Sequence, residues 1–219
     1  MRKICIAILS IFLSVMAYSQ GMTLHDPVSG RTFNSTKYSD ISGSPFLRDK
    51  WTRGAVITSK GTYHNLELKL DAYSNTLYFN KDDSPYEFQD NIISFVLMPD
   101  PKDSLTYLYY RKGLSGSGIR GDQYVQVLAQ GKADLYKLDT KLLSEINQIN
   151  QGVVKSFTNA SRYYIMQNDN LEMIRPNKSD ILNALSDKKN EVQAFIDANN
   201  LSFKKDADLA KLFKYYNSL

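Results

Sequence analysis

A chain of 219 residues with 42% hydrophobic side chains is long enough for one or two packed domains. Its 27 basic and 23 acidic residues sum to +4, and removal of Arg2 and Lys3 with an N-terminal leader leaves 25 against 23. So small an excess excludes a nucleic-acid partner, which needs clustered Lys and Arg to displace counterions, and a single cysteine, Cys5, excludes disulfide staples and cysteine-based metal or thiol chemistry in the exported chain.

The N-terminus has the three parts of a secretory signal: Arg2-Lys3, the apolar run Ile4 to Ala17 broken only by Ser10 and Ser14, and small residues at Ala17 and Ser19. The run falls short of the ~20 apolar residues that cross a bilayer. The expectation is a signal peptide over 1–19, cleaved before Gln20. Cys5 lies too near the start, with no apolar run before it, to be a lipidation site, and no later segment reads as a transmembrane helix. Residues 20–53 are rich in breakers (Pro27, Gly30, Gly43, Pro45) and read as an irregular arm docking through Phe33, Phe46 and Trp51.

From residue 54 to 176 the period is two. Leu66, Leu68 and Leu70 point one way and Glu67, Lys69 and Asp71 the other, which predicts a strand with one dry and one wet face. Asn75 turns the chain into a hairpin with Leu77 and Phe79; Asp82 to Pro85 reads as a loop; Ile93, Phe95 and Leu97 mark another strand. Strands at 105–110 and 124–129 flank the glycine-rich stretch 113–121, and 135–138 pairs back. Residues 163–166 and 171–174 frame the turn Asn168-Asp169-Asn170. For 139–158 the sequence is ambiguous, with Leu142, Leu143, Ile146 and Ile149 at the spacing of a short helix.

Beyond Pro176 the period becomes helical. Ser179 is the expected N-cap of a first helix holding Ile181, Leu182 and Leu185. Val192, Phe195 and Ile196 form the stripe of a second, stopped at Asn199-Asn200, and Asp206 is the expected cap of a third buried through Leu209, Leu212, Phe213 and Tyr216. The expected fold class is therefore α+β: a curled antiparallel sheet or meander over 54–176, then a helical cap of two to three short helices over 177–219. Short strands, irregular loops and this tail set aside an outer-membrane barrel.

Chemistry is sparse. Gly116 to Gly121 spells G-x-G-x-x-G, but a strand rather than a helix follows, so no helix N-terminus awaits a pyrophosphate and a mobile hairpin loop is expected. Arg120-Gly121-Asp122 is a three-residue adhesion motif of the kind that arises by chance. Asn34, Asn159, Asn177 and Asn200 head N-x-Ser/Thr triplets. His25 and His64 stand apart, and the Asp82-Asp83 and Asn168-Asp169-Asn170 clusters are turn chemistry rather than calcium loops. No catalytic set, metal site or cofactor is indicated. Lys188-Lys189, Lys204-Lys205, Lys211 and Lys214 are offset by Asp187, Glu191, Asp206 and Asp208, as on a solvated helical face.

The aromatic content is the exception, with 15 Tyr and 10 Phe. Tyr107, Tyr109, Tyr110, Tyr163 and Tyr164 are candidate binding residues, able to line a groove that stacks sugars or grips a peptide strand, although tyrosine also suits half-buried strands. The expected role is a non-enzymatic binding protein of the cell envelope, its partner an envelope protein or a glycan. The alternative is a hydrolase of glycan or peptide using dispersed carboxylates, Glu67 and Glu87 among them.

One likeness bears on location. Gly21-Met22-Thr23, Gly43-Ser44-Pro45-Phe46-Leu47 before Trp51, Gly61 to Asn65 leading into Leu70 to Ser74, Leu201 to Lys205, and Leu212 to Leu219 together resemble a family of small exported proteins of Gram-negative bacteria. The resemblance implies an envelope location (periplasm, outer-membrane-associated or secreted) and carries no activity, cofactor or site residue.

Overall fold

The computed structural model describes residues 37–148 and 152–219. The leader, His25, Phe33, Asn34 and Ile149 lie outside the described residues. The strands are β1 (Ile41–Ser42), β2 (Thr52–Thr58), β3 (Thr62–Asp71), β4 (Thr76–Lys81), β5 (Ser84–Glu87), β6 (Ile92–Leu97), β7 (Leu108–Arg111), β8 (Val125–Ala129), β9 (Asp134–Gln148), β10 (Gly152–Gln167) and β11 (Asn170–Ile174). They form one open sheet in the order β1-β10-β9-β8-β7-β6-β2-β3-β4-β5, with β11 also on β10. Helices α1 (Lys178–Ala184), α2 (Lys189–Asn199) and α3 (Asp206–Tyr216) close the chain. The fold is α+β with a C-terminal helical cap. The sheet is mixed, because β1 runs parallel to β10.

Local chemistry sets the hairpins. Asn75, the pair Asp82-Asp83 and the pair Asn168-Asp169 all take positive φ, a conformation that Asn and Asp tolerate; in the two pairs it matches the twist of two-residue hairpins, whereas Asn75 closes a four-residue turn between Asp71 and Thr76. The Asp82-Asp83 pair turns the chain directly into β5, so Ser84 and Pro85 belong to a strand rather than a loop. Pro85 is tolerated there because β5 ends the sheet. Asn65 at φ 57 adds a residue to β3 between the partners of Gly54 and Val56, so Tyr63 falls on the same face as Leu66, Leu68 and Leu70.

Two expectations are corrected here. The described residues of 139–158 contain no helix: Leu142, Leu143 and Ile146 lie in β9, which pairs with β10 in unbroken register from Met166↔Asp134 to Gly152↔Gln148. Cross-strand pairing there overrides a helical spacing only a few residues long. Before β7 the chain makes a 3-10 turn at Ser104–Thr106, capped by Asp103, so the strand starts at Leu108 and not at Leu105.

The sheet has two faces, and both are covered in part. On the inner face Leu68, Leu77, Phe79, Phe95, Tyr110 and Tyr124 meet in one cluster. Strands β4 and β8 are five places apart in the sheet, roughly 24 Å if flat, so their residues meet only because the sheet curls. Asn75 completes the curl: its Nδ2 donates to the Asp122 carbonyl at 2.8 Å and its Oδ1 accepts from the Tyr124 amide at 3.0 Å. Further along that face, Ala129, Leu135 and Ile165 pack against the helices.

The helices earn their place through one apolar stripe each. Ile181, Leu182, Val192, Ile196, Leu209, Leu212, Phe213 and Tyr216 are all buried. Each large side chain contributes about 1.5–3 kcal/mol of burial, which isolated helices this short lack. Helix α1 is capped by Asn177, whose Oδ1 accepts from the Asp180 amide at 2.9 Å, and not by Ser179, which lies inside it. Helix α2 stops at Asn200, in the left-handed region. The N-cap of α3 is Lys205; Asp206 is its first residue and spends its carboxylate elsewhere.

The arm covers the Lys69 and Asp71 end of the β3 face expected to be wet, and Glu67 stays exposed. Phe46 packs edge-on against Tyr78, and the Lys69 ammonium lies 4.4 Å from the Phe46 ring centre and 5.5 Å from that of Trp51. Asp71 is fully buried, accepting from Tyr38 Oη at 2.8 Å and from the amides of Tyr73 and Ser74 at 2.9 and 2.8 Å. The glycine-rich loop is also held down. Leu114 and Ile119 plug the outer face beside Tyr136, Leu138 and Tyr164, and Ser117 Oγ donates to the Leu171 carbonyl at 2.6 Å.

Candidate functional site

Strand register places six side chains in one row across the inner face: Val56, Phe95, Tyr110, Gln126, Lys137 and Tyr163, from β2 through β6, β7, β8 and β9 to β10. The row begins in the apolar cluster and turns polar at its middle. There the helical cap and the curled half of the sheet leave an open cleft of ≈ 550 Å³. Its floor is Tyr110, Gln126, Lys137 and Asp139; one wall is Asp206, Ala207, Ala210 and Lys214 on α3; the other is Tyr107 with Leu47 and Arg48 of the arm.

The polar end of the row is an ordered network. The Lys137 ammonium lies 2.8 Å from Asp206 Oδ2 and 3.2 Å from Asp139 Oδ1. Tyr163 Oη donates to Asp206 Oδ1 at 2.8 Å, and Ser161 Oγ donates to Asp139. Burial by itself lowers the Lys137 pKa, but the bond to Asp206 and the charge of Asp139 outweigh it, so the pKa is raised from 10.5 and the ammonium is fixed as a cation. Burial, reinforced by the bond to Asp206, pushes Tyr163 up to about 12.

Two floor residues have unused hydrogen-bonding capacity. Tyr110 is 3% exposed and Gln126 7%, and the side chains of both lack a hydrogen-bond partner among the described residues. Among the described residues the one fully enclosed polar side-chain atom without a partner is Tyr164 Oη, so the polar ends of Tyr110 and Gln126, both lining the cleft, reach it. Burial first, and the neighbouring charge of Asp139, push the Tyr110 phenol pKa well up, which keeps it a neutral donor. Polar groups that open onto solvent can exchange water for a ligand's polar groups at little cost.

Of the five tyrosines marked from sequence, Tyr107 and Tyr110 line this cleft and Tyr163 holds its Asp206 wall, while Tyr109 only borders it, since strand register turns its side chain to the outer face. Tyr164 does not join them. It sits on the outer face in the row Tyr109, Val127, Tyr136, Tyr164, fully buried under the glycine-rich loop. Sequence reading missed Gln126, Lys137, Asp139 and Asp206. The available signal was polar side chains on the strand parity that elsewhere carries Tyr124 and Leu135.

A second open cleft, ≈ 460 Å³, lies on the outer face over Ala55, Ile57, Ile93, Val96 and Tyr109, with His64 at its rim. Aliphatic and aromatic side chains make up most of its surface, and the polar residues that line it, Arg111 and Lys112 among them, form no shared network there. Glu67 and Glu87 line neither cleft: Glu67 accepts from Asn80 Nδ2 at 2.7 Å and Glu87 from Tyr78 Oη at 3.2 Å. In the Arg120-Gly121-Asp122 loop the two charges pair with each other at 3.2 Å. Among the described residues no group of three His, Cys, Asp or Glu converges as metal ligands, and no helix is long and apolar enough to cross a membrane. Comparison with protein families, with curated proteins and with solved structures finds no match for this chain.

Proposed function

We propose that this is an exported protein of the Gram-negative cell envelope that binds a small polar ligand, without turning it over, in the cleft floored by Tyr110, Gln126 and Lys137. Export rests on the leader and on the resemblance described above, and fits a body that has no cysteine after residue 5. The observation that carries the binding reading is the pair Tyr110 and Gln126, each more than nine-tenths buried with its polar end open to the cleft. The volume, ≈ 550 Å³, suits a ligand of one to two rings. Binding rather than hydrolysis is favoured because Lys137 occupies the space between Asp139 and Asp206, where a scissile bond would have to lie between two catalytic carboxylates.

The test has two parts. Mass spectrometry of the protein recovered from its native host should find Gln20 as the first residue; an intact Met1 chain in the cytosol defeats the export reading. Calorimetry against a panel of envelope saccharides and short peptides should find a ligand whose affinity drops at least tenfold in Gln126→Leu. Turnover of a panel member, abolished in Glu67→Gln or Glu87→Gln, would instead favour the hydrolase alternative.

A further inference from the structure

Three features bear on what the cleft takes. Lys137 is paired with both Asp139 and Asp206, a trio that carries one net negative charge on the floor and the α3 wall. Arg48 on the arm and Lys214 on α3 also line the cleft, from opposite walls, and neither is in an ion pair with a described residue. Arg48 and Lys214 set two positive charges at the rim against the one net negative charge of that trio, so the cleft as a whole carries one net positive charge. The floor meanwhile offers a phenol and a carboxamide, neutral groups suited to hydroxyls rather than to a second charge.

The strands of the floor are fully engaged on both sides. Tyr110 pairs with Phe95 and Gln126, and Gln126 with Tyr110 and Lys137. No strand edge is therefore presented for a peptide to extend, and recognition in the cleft rests on side chains.

We infer that the ligand is a saccharide carrying one anionic substituent, carboxylate or phosphate, its hydroxyls on Tyr110 and Gln126 and its charge between Arg48 and Lys214. This rests on the binding reading above and narrows it to a chemical class. Arg48 is suited to a planar carboxylate through its fork of donors, and Lys214 supplies a point charge on the facing wall. Rim charges of this kind act through solvent, so their effect weakens with salt, whereas the floor contacts do not.

The experiment compares matched disaccharides by calorimetry on the purified full-length protein: cellobiose against cellobiouronic acid, and trehalose against trehalose 6-phosphate. At least one acidic member should bind tenfold or more tighter than its neutral partner. The double variant Arg48→Ala/Lys214→Ala should bring the two within about twofold by weakening the acidic member, and added salt should weaken the acidic arm more than the neutral one. The preferred pair tells carboxylate from phosphate. Equal binding of acidic and neutral members, lost in Gln126→Leu, overturns this inference while leaving the binding reading intact. No binding of any of the four, with a peptide bound instead, overturns the saccharide assignment; no binding of saccharide or peptide overturns both readings.

Discussion

Tyr163 Oη donates to Asp206 Oδ1 at 2.8 Å, tying the middle of the longest strand, β10, to the first residue of the last helix, α3. The same carboxylate takes the Lys137 ammonium on its other oxygen. Asp206 thus joins sheet to cap and forms a wall of the cleft at once, so fold stability and site geometry share one side chain.

Asp206→Ala should lower unfolding free energy by about 2 kcal/mol, the usual loss when hydrogen bonds to a charged group are removed and a partly buried cation keeps only one partner. Urea unfolding at pH 7 measures it. Asp206→Asn, which keeps the shape and one acceptor, should lose less. A change below about 0.5 kcal/mol in the alanine variant would mean that the network is not formed in solution.

Stability should fall on the alkaline side. Burial, with bonds to Asp206 and Asp134 respectively, pushes Tyr163 and Tyr136 up to about 12, and burial raises Tyr78, Tyr110 and Tyr124 further. The unfolded phenol titrates near ~10. Between those values the native state holds more protons than the unfolded one, so unfolding free energy is level below pH ~10 and declines as the pH rises through 12. The raised Lys137 has the same sign. Chemical unfolding from pH 7 to 11.5, with tyrosinate absorbance followed in parallel, checks both. Stability that stays level across that range contradicts the packing described.

Gly54→Ala should cost about 3 kcal/mol, at the upper end for overpacking a well-filled core. A Cβ at Gly54 would overlap the Val96 carbonyl oxygen and stand 2.6 Å from Leu68 Cδ1, and the backbone on that side is fixed by the β2–β6 ladder. Gly61→Ala is the control: its Cβ meets nothing within 4 Å, and a change within about 0.5 kcal/mol is expected. Equal losses in the two would show that β2 does not pack as described.

How far the sequence could be read depended on whether one face or two were buried. Leu66, Leu68 and Leu70 declared their strand because their neighbours are polar, and Leu209, Leu212, Phe213 and Tyr216 declared their helix because the other side of α3 is polar. Residues 135–138 and 163–166 were harder to interpret, since Leu135 and Ile165 face the helices while Tyr136, Leu138 and Tyr164 face the glycine-rich loop. With both parities apolar, alternation no longer tells which side a tyrosine takes, and Tyr163 and Tyr164 read as equivalent when they are opposite.

The sequence by itself determined the class of fold, the turns at Asn75 and Asn168-Asp169, and the stripes of the three helices, because each follows from interactions within a few residues. Tertiary structure decided that 139–148 and 152–158 are strands, that Asp71 is buried under the arm, and that Gln126, Lys137, Asp139 and Asp206 share one cleft. Those outcomes rest on distant partners, such as Lys137 and Asp206, 69 positions apart along the chain, and no local period encodes which distant strand or helix will supply the other half of a buried polar contact.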